Sequence, residues 1–420
     1  LDEGQETSMN EDTGTTKILW HSVCPWVPTG YGQQTSLFAP RIAALDNINL
    51  AISSGFGLNG GPIKWNGLHV YPGEDWNRTV YQWAMHHGNG DPCTVITLFD
   101  VWPLDVDVYR AIDQQGRLAC WVPVDHNPAP PAVVNFLRES GAIPIAMSRF
   151  GETQLREAGL DPLYVPHGID TEMFAPSDKP ELAKFRELLE VPQDAFIVGM
   201  VANNQGQSPA RKAFSESFMA FSVFQQTHPD AILHLHTEMT GFRNGLNLYR
   251  MLERFEIPPE AIRLTEQVRL EHVYPPAAMA GLYNLFDVLL NPSYGEGFGI
   301  PIMEAQACGT PVIVTDWTSM PELVGAGWKV GGIPWDHAMA EAFWMKPDID
   351  AIVDALELAY ESRGDEVFRA RARKFALDYD VNKVMTDYWE PALERIHSPR
   401  EVKPIGPNRA MRRAKQKVGS

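Results

Sequence analysis

Cysteine is scarce in this chain. Only Cys24, Cys93, Cys120 and Cys308 occur among 420 residues, and no two are close in sequence. Without a CxxC pair, neither a zinc ribbon nor a dithiol redox motif is supported. Free thiols in a reducing, cytoplasmic setting are the plain reading. Apolar runs of membrane-spanning length are missing, as is a charged-then-apolar leader, so neither a transmembrane segment nor a signal peptide is expected. Cations are also in short supply. There are 35 Lys and Arg against 53 Asp and Glu, giving a net charge of −18. That balance excludes a broad duplex-DNA footprint, which needs many cations to displace counterions. Arg409, Arg412, Arg413, Lys415 and Lys417 are a local exception. This basic tail, 398–420, reads as a solvated terminus, and it is the sole route left to nucleic acid.

What is present is globular. The apolar fraction is 44%, and 420 residues are too many for one ordinary core, so two domains are expected. Residues 1–16 are acidic and polar and should be disordered. A strand at Ile18-Leu19-Trp20, a loop at Pro28–Gly32 and a helix from Gln33 to about Leu45 form the opening unit of a doubly wound α/β domain, 17–170. Apolar runs at Leu68–Val70, Thr94–Phe99, Ala119–Val124 and Ile143–Ala146 continue its sheet. A turn-rich linker at Pro166–Ser177 leads into a second alternating unit, 171–377. Its strands are expected at Phe196–Val201, Ala231–His236, Asp287–Leu290 and Pro311–Val314.

The most informative stretch is Asn291-Pro292-Ser293-Tyr294-Gly295-Glu296-Gly297-Phe298-Gly299-Ile300-Pro301-Ile302-Met303-Glu304. It places two carboxylates eight positions apart around a glycine-rich turn. Gly295, Gly297 and Gly299 would let backbone approach a ligand closely. Pro301 suits the first turn of a helix. From Phe298 to Val314 the only charged side chain is Glu304, so it must be hydrogen-bonded, paired or turned toward a polar ligand. If about half of the spacing is helical, the carboxylates lie roughly 8–12 Å apart, comparable with the ribose-to-sugar distance in an extended nucleotide-sugar.

Other residues offer matching chemistry. Arg211 and Lys212 follow a strand and a polar loop, and could neutralise a diphosphate. Gly30-Tyr31-Gly32 is a glycine loop without the third glycine of a dinucleotide fingerprint. Asp125 and His126 follow a strand whose carboxyl end should face the crevice. His126 could bond a sugar hydroxyl, and Asp125 could orient it, approach an acceptor or simply cap a turn. Asp100 ends another strand and is a further acceptor-side candidate. His234 and His236 alternate on one strand but lack a third ligand, and Asp105-Val106-Asp107 reads as a helix cap. No metal or other cofactor is expected.

The segment Glu296–Glu304, followed by Ala305-Gln306-Ala307-Cys308-Gly309-Thr310-Pro311-Val312-Ile313, resembles the signature of family 4 retaining glycosyltransferases. Val165-Pro166-His167-Gly168-Ile169-Asp170 with Phe174, the Arg211-Lys212 pair and Pro321-Glu322-Leu323-Val324 resemble other pieces of that family, in the same order. The resemblance implies a GT-B fold: α/β, two Rossmann-like doubly wound domains facing across a cleft, with a C-terminal helix, 378–397, crossing back to the N-terminal domain. It implies a UDP- or GDP-sugar donor, with Glu296 at the sugar, Glu304 at the ribose, and Arg211 and Lys212 at the phosphates. Gly30, Tyr31, Gly32, Gly297, Phe298, Gly299 and Ile300 would line the donor site. Tyr31 stands where many relatives carry glycine. His21-Ser22-Val23-Cys24-Pro25-Trp26 also resembles glycosyltransferases encoded by bacteriophages, which leaves a glycan, lipid, protein or modified DNA base open as acceptor. An epimerase or phosphorylase of the same fold, or a non-catalytic sugar-nucleotide-binding module, are the alternatives. Oligomeric state has no signal in the sequence.

Overall fold

The computed structural model describes residues 14–73, 76–206, 209–242, 244–272 and 274–399. Most of the polar stretch 1–16 and almost all of the basic tail 398–420 lie outside the described residues.

Two parallel sheets organise the chain. The first holds eight strands: β1 (Thr16–Val23), β2 (Ile48–Phe56), β3 (Ile63–Trp65), β4 (Leu68–Tyr71), β5 (Cys93–Leu98), β6 (Arg117–Val122), β7 (Ile143–Ala146) and β8 (Leu163–Tyr164). Their order is β3-β4-β2-β1-β5-β6-β7-β8, and only the β3–β4 pair is antiparallel. The central strands are buried on both faces, as parallel strands covered by helices must be. The second sheet holds β9 (Phe196–Val201), β10 (Ala231–His236), β11 (Ile262–Leu264), β12 (Val288–Asn291), β13 (Val312–Thr315) and β14 (Gly327–Val330), in the order β11-β10-β9-β12-β13-β14. Strand order reverses between β1 and β5 in one sheet and between β9 and β12 in the other. Such reversals open a crevice at the carboxyl ends of the strands.

Three features depart from the sequence expectations. Strand β2 was not anticipated, because its SSG run interrupts the apolar pattern, yet it pairs with β1 along its length. Gly30, Tyr31 and Gly32 do not form a loop. They open the Gly30–Ala43 helix, whose cap Thr29 accepts a 3.1 Å bond at Oγ1 from the Gly32 N–H. Beyond β14 the chain leaves the sheet as an unexpected antiparallel hairpin, β15 (Gly332–His337) and β16 (Ala342–Pro347).

The chain then returns to the first domain. The crossing segment is a series of short helical pieces, ending in a π-helical turn at Met385–Trp389 and the Glu390–His397 helix. Pro391 cannot donate to the carbonyl four residues back, which accounts for the widened turn. Trp389 is wholly buried against Trp20, Trp121 and Phe38, with ring centroids 5.4, 5.0 and 5.8 Å away. The second domain also reaches across. Glu322 accepts from the N–H groups of Arg149 (2.8 Å) and Phe150 (2.9 Å), the first residues of the Arg149–Glu157 helix. It thereby satisfies two donors that the helix itself leaves free.

Trp389→Ala should cost about 3–5 kcal/mol in urea unfolding, as expected for an emptied aromatic site. Trp389→Phe should cost clearly less, because the buried indole N–H has no partner among the described residues.

Candidate functional site

The two strand-order reversals deliver the candidate residues. Tyr31 follows β1 and Asp100 follows β5. Arg211 and Lys212 follow β9, and Glu296 follows β12. Their carboxyl ends face one another.

The Glu296 carboxylate is buried and clasped by two cations. Arg211 Nη1 donates to Oε2 at 2.7 Å, and Lys212 Nζ pairs with Oε1. Burial alone would raise this carboxyl, but the Arg211 and Lys212 charges outweigh it and hold it down at about 2. The cations fare differently. Burial works against both, yet Arg211 is pushed up by Glu296 and Asp125. Lys212 ends below its usual value, because burial, helped by repulsion from Arg211, outweighs the pull of Glu296. Lys212 is therefore the more weakly held charge. The turn carrying Glu296 is fixed on every side. Arg211 Nη1 also donates to Gly295 O (2.7 Å), Thr318 Oγ1 accepts from Glu296 N–H (3.0 Å), and Ser319 Oγ donates to the Glu296 and Phe298 carbonyls.

Two glycines of this turn also permit a close approach within the protein. A methyl group at Gly295 would sit 2.2 Å from the Asp125 carbonyl oxygen, and one at Gly297 would sit 2.4 Å from Pro123 Cβ. They let the two domains touch closely at this turn. Gly299, with φ +120°, starts the Ile300–Ala307 helix, and Ile300 Cδ1 would lie 3.1 Å from a methyl group on Gly30. The starts of two helices thus meet across the cleft, both presenting positive dipole ends.

Glu304 is separate from the Glu296 cluster. Its two oxygens accept from Gln33 Nε2 (2.6 Å) and Tyr283 Oη (2.7 Å). Burial raises this carboxyl, and the two bonds only partly offset that. The sequence shows that Glu304 needs a partner. It gives no sign of Gln33, which comes from the other domain.

On the N-terminal side, Tyr31 Oη donates to Asp100 Oδ2 at 3.2 Å. Asp125 does not cap a turn; its Oδ1 lies 2.7 Å from His126 Nδ1. Burial opposes ionisation of Asp125, but the His126 bond and charge and then Arg211 bring its value down. His126 Nε2 lies 2.7 Å from Nδ1 of His337 in the hairpin, and both imidazoles stack on Trp344. His337 and Trp344 escaped the sequence reading. Their signal was two aromatic-bearing runs bracketing Ala338–Glu341, a hairpin pattern. Phe298 packs edge-on to His167. His234 and His236 share Thr265 Oγ1, and Asp105 caps the Val106–Gln115 helix. Among the described residues, no cluster of three His, Cys, Asp or Glu is placed to hold a metal ion, and no helix is long and apolar enough to cross a membrane.

Solved structures share this architecture. A glycosyltransferase from Rickettsia africae ESF-5 aligns over 91% of this chain and 100% of its own, with a TM-score of 0.67 and 15% identity. Alr3699/HepE of Anabaena, in complex with UDP-glucose, aligns over 90% and 99%, with a TM-score of 0.66 and 15% identity. The fold is GT-B. Residues 219–361 match the family model "Glycosyl transferases group 1". That stretch includes Glu296, Glu304, Glu322 and the hairpin, and stops short of Arg211 and Lys212. A D-inositol 3-phosphate glycosyltransferase of Corynebacterium jeikeium is 30% identical over 163 residues, 39% of this chain and 37% of that protein. The match spans little more than a third of that relative. The GT-B cleft is thus where Glu296, Arg211, Lys212, Asp125, Asp100 and Tyr31 converge.

Replacing Glu296 by Gln should destabilise the protein by about 3–5 kcal/mol at pH 7, because two buried cations lose their counter-charge. A carboxyl lowered from 4.5 to about 2 stabilises the fold above about pH 4.5 and loses that contribution as pH falls toward 2. Urea unfolding from pH 7 to pH 3 should therefore show the wild-type advantage shrinking in the acid range. An advantage that stays flat would contradict the ion pairing.

Proposed function

We propose that this protein transfers a sugar from a nucleotide-diphosphate donor, with UDP as the first choice of nucleotide, to an acceptor hydroxyl with retention at the anomeric carbon. The observation that carries this reading is the Arg211–Glu296–Lys212 cluster at the strand-order reversal of the second domain. A diphosphate brings the same negative charge that Glu296 now supplies. On binding it would take over Arg211 and Lys212, and Glu296 would turn to the sugar. The UDP-glucose complex of the Anabaena neighbour and the group 1 match support a nucleotide-sugar.

The difficulty of the reaction is charge separation. Positive charge grows on the sugar ring while negative charge collects on the departing diphosphate. Arg211, Lys212 and the facing helix starts stabilise the leaving group from fixed positions. Glu296 offsets the charge on the ring. No covalent nucleophile is assigned: the departing phosphate takes the acceptor proton on the same face. Tyr31 contributes to the donor site, and its bond to Asp100 links that site to the acceptor side. Glu304 binds ribose by exchanging its Gln33 or Tyr283 bond. Closure of the two domains excludes water. The side-chain cations make a divalent metal unnecessary. Four free, buried cysteines agree with a cytoplasmic setting.

A thermal-shift and turnover screen of UDP-, GDP- and ADP-sugars tests this. A UDP-sugar should raise the melting temperature and turn over, without sensitivity to EDTA. Arg211→Ala and Glu296→Ala should each lower kcat by about 10²–10³-fold. If no nucleotide-sugar binds, the proposal fails; unchanged turnover by Glu296→Ala would remove that residue from the chemistry.

A further inference from the structure

The hairpin β15–β16 belongs to the second domain in sequence but is fastened to the first. Asn127 N–H donates to Phe343 O at 3.0 Å, and Phe343 N–H donates to Asn127 O at 2.9 Å. Trp344, buried on the hairpin, packs on the turn that carries Glu296: a methyl group at Gly295 would lie 2.8 Å from its ring. Two imidazoles lie flat on the indole. The His126 centroid is 4.7 Å away at 19°, and that of His337 is 4.2 Å away at 23°. The imidazole planes are 13° apart, so the two rings sit side by side, joined edge to edge by the 2.7 Å Nε2···Nδ1 contact.

Asp125 fixes one end of this row. An ionised Asp125 can only accept, so His126 carries its proton on Nδ1. A neutral His126 then accepts at Nε2 from the Nδ1–H of His337, whereas an imidazolium donates its Nε2–H to His337 Nδ1. In either state His337 Nε2 is not engaged within the row. It has no hydrogen-bond partner among the described residues, and the His337 ring is only half-buried. Both nitrogens of His126 are therefore spent within the protein. The ring nitrogen left for a ligand is the one at the other end of the row.

We propose that His337, delivered by the hairpin, is the imidazole that contacts the sugar, and that His126 and Asp125 hold its tautomer. A hydroxyl of the bound sugar hydrogen-bonds to His337 Nε2. The assignment rests on the nucleotide-sugar reading above and extends it to a residue outside either sheet. It also makes the hairpin a part of the binding site, because without the Asn127–Phe343 pairing the row has no third member.

The test exploits the shapes of two amides. The Asn side-chain amide can stand near the position of imidazole Nδ1, and the longer Gln amide near Nε2. Dissociation constants for UDP and UDP-glucose, GDP and GDP-mannose, and ADP and ADP-glucose are measured by calorimetry on wild type, His337→Ala, His337→Asn and His337→Gln. For the pair in which wild type most prefers the sugar form, His337→Ala and His337→Asn should lose that preference by about tenfold or more, the worth of one hydrogen bond. Binding of the bare nucleotide should stay unchanged, which also reports intact folding. His337→Gln should recover part of the preference. An Asn variant with full preference would show that His337 only holds His126, and would overturn the assignment. So would an unaffected Ala variant, or a wild type that binds a nucleotide but gains nothing from an attached sugar. A wild type that binds no nucleotide at all overturns the nucleotide-sugar reading and, with it, this assignment.

Discussion

The structure depends on a carboxylate that cannot be left alone. Glu296 is buried where the two domains meet, and an unpaired charge there would cost several kcal/mol. Arg211 and Lys212 remove that penalty. They arrive from the loop after β9, whereas Glu296 arrives from the loop after β12. The ion pairs therefore tie together the two strands between which the sheet order reverses. Arg211 holds the Gly295 carbonyl as well, so one guanidinium sets both the charge balance and the course of the turn. The turn can then press against Pro123 and Asp125 of the opposite domain.

That contact explains why the cleft has several independent fastenings. Gln33 reaches Glu304, Glu322 reaches the start of the Arg149–Glu157 helix, and Asn127 pairs with Phe343. Each uses groups that would otherwise be unsatisfied. A helix start needs acceptors and Glu304 needs donors. The domains meet through polar groups whose requirements are complementary, with the aromatic cluster around Trp389 as the apolar counterpart.

Much of this was legible in the sequence. Buried parallel strands such as β5, β9 and β13 are continuous apolar runs, and they occur where those runs stand. Arg211, Lys212 and Glu296 could be brought together because each follows a strand and all carry charge. Strand β2 could not be read so easily, since Ser53, Ser54 and Gly55 hide its pattern. Their burial is made acceptable by partners such as His21, whose Nδ1 lies 3.1 Å from Ser53 Oγ. Gly295 and Gly297 show a different limit. A sequence shows that a close approach is permitted, but not what approaches. Gln33 and Tyr283 were missed because their importance comes from a partner hundreds or tens of positions away, and nothing local to them marks it; the hairpin pattern around His337 marks its strand but not its partner His126.

The return of the chain to its first domain has a bearing on synthesis. Trp20 and Trp121 emerge early from the ribosome, whereas Trp389, the ring that seals them, emerges only after the whole second domain has been translated. Until then the first domain is a vessel without its stopper, with indole faces open to water. Its maturation is thus timed by the completion of its neighbour, and a ribosome that stalls inside the second domain leaves behind an unsealed aromatic surface for chaperones to cover.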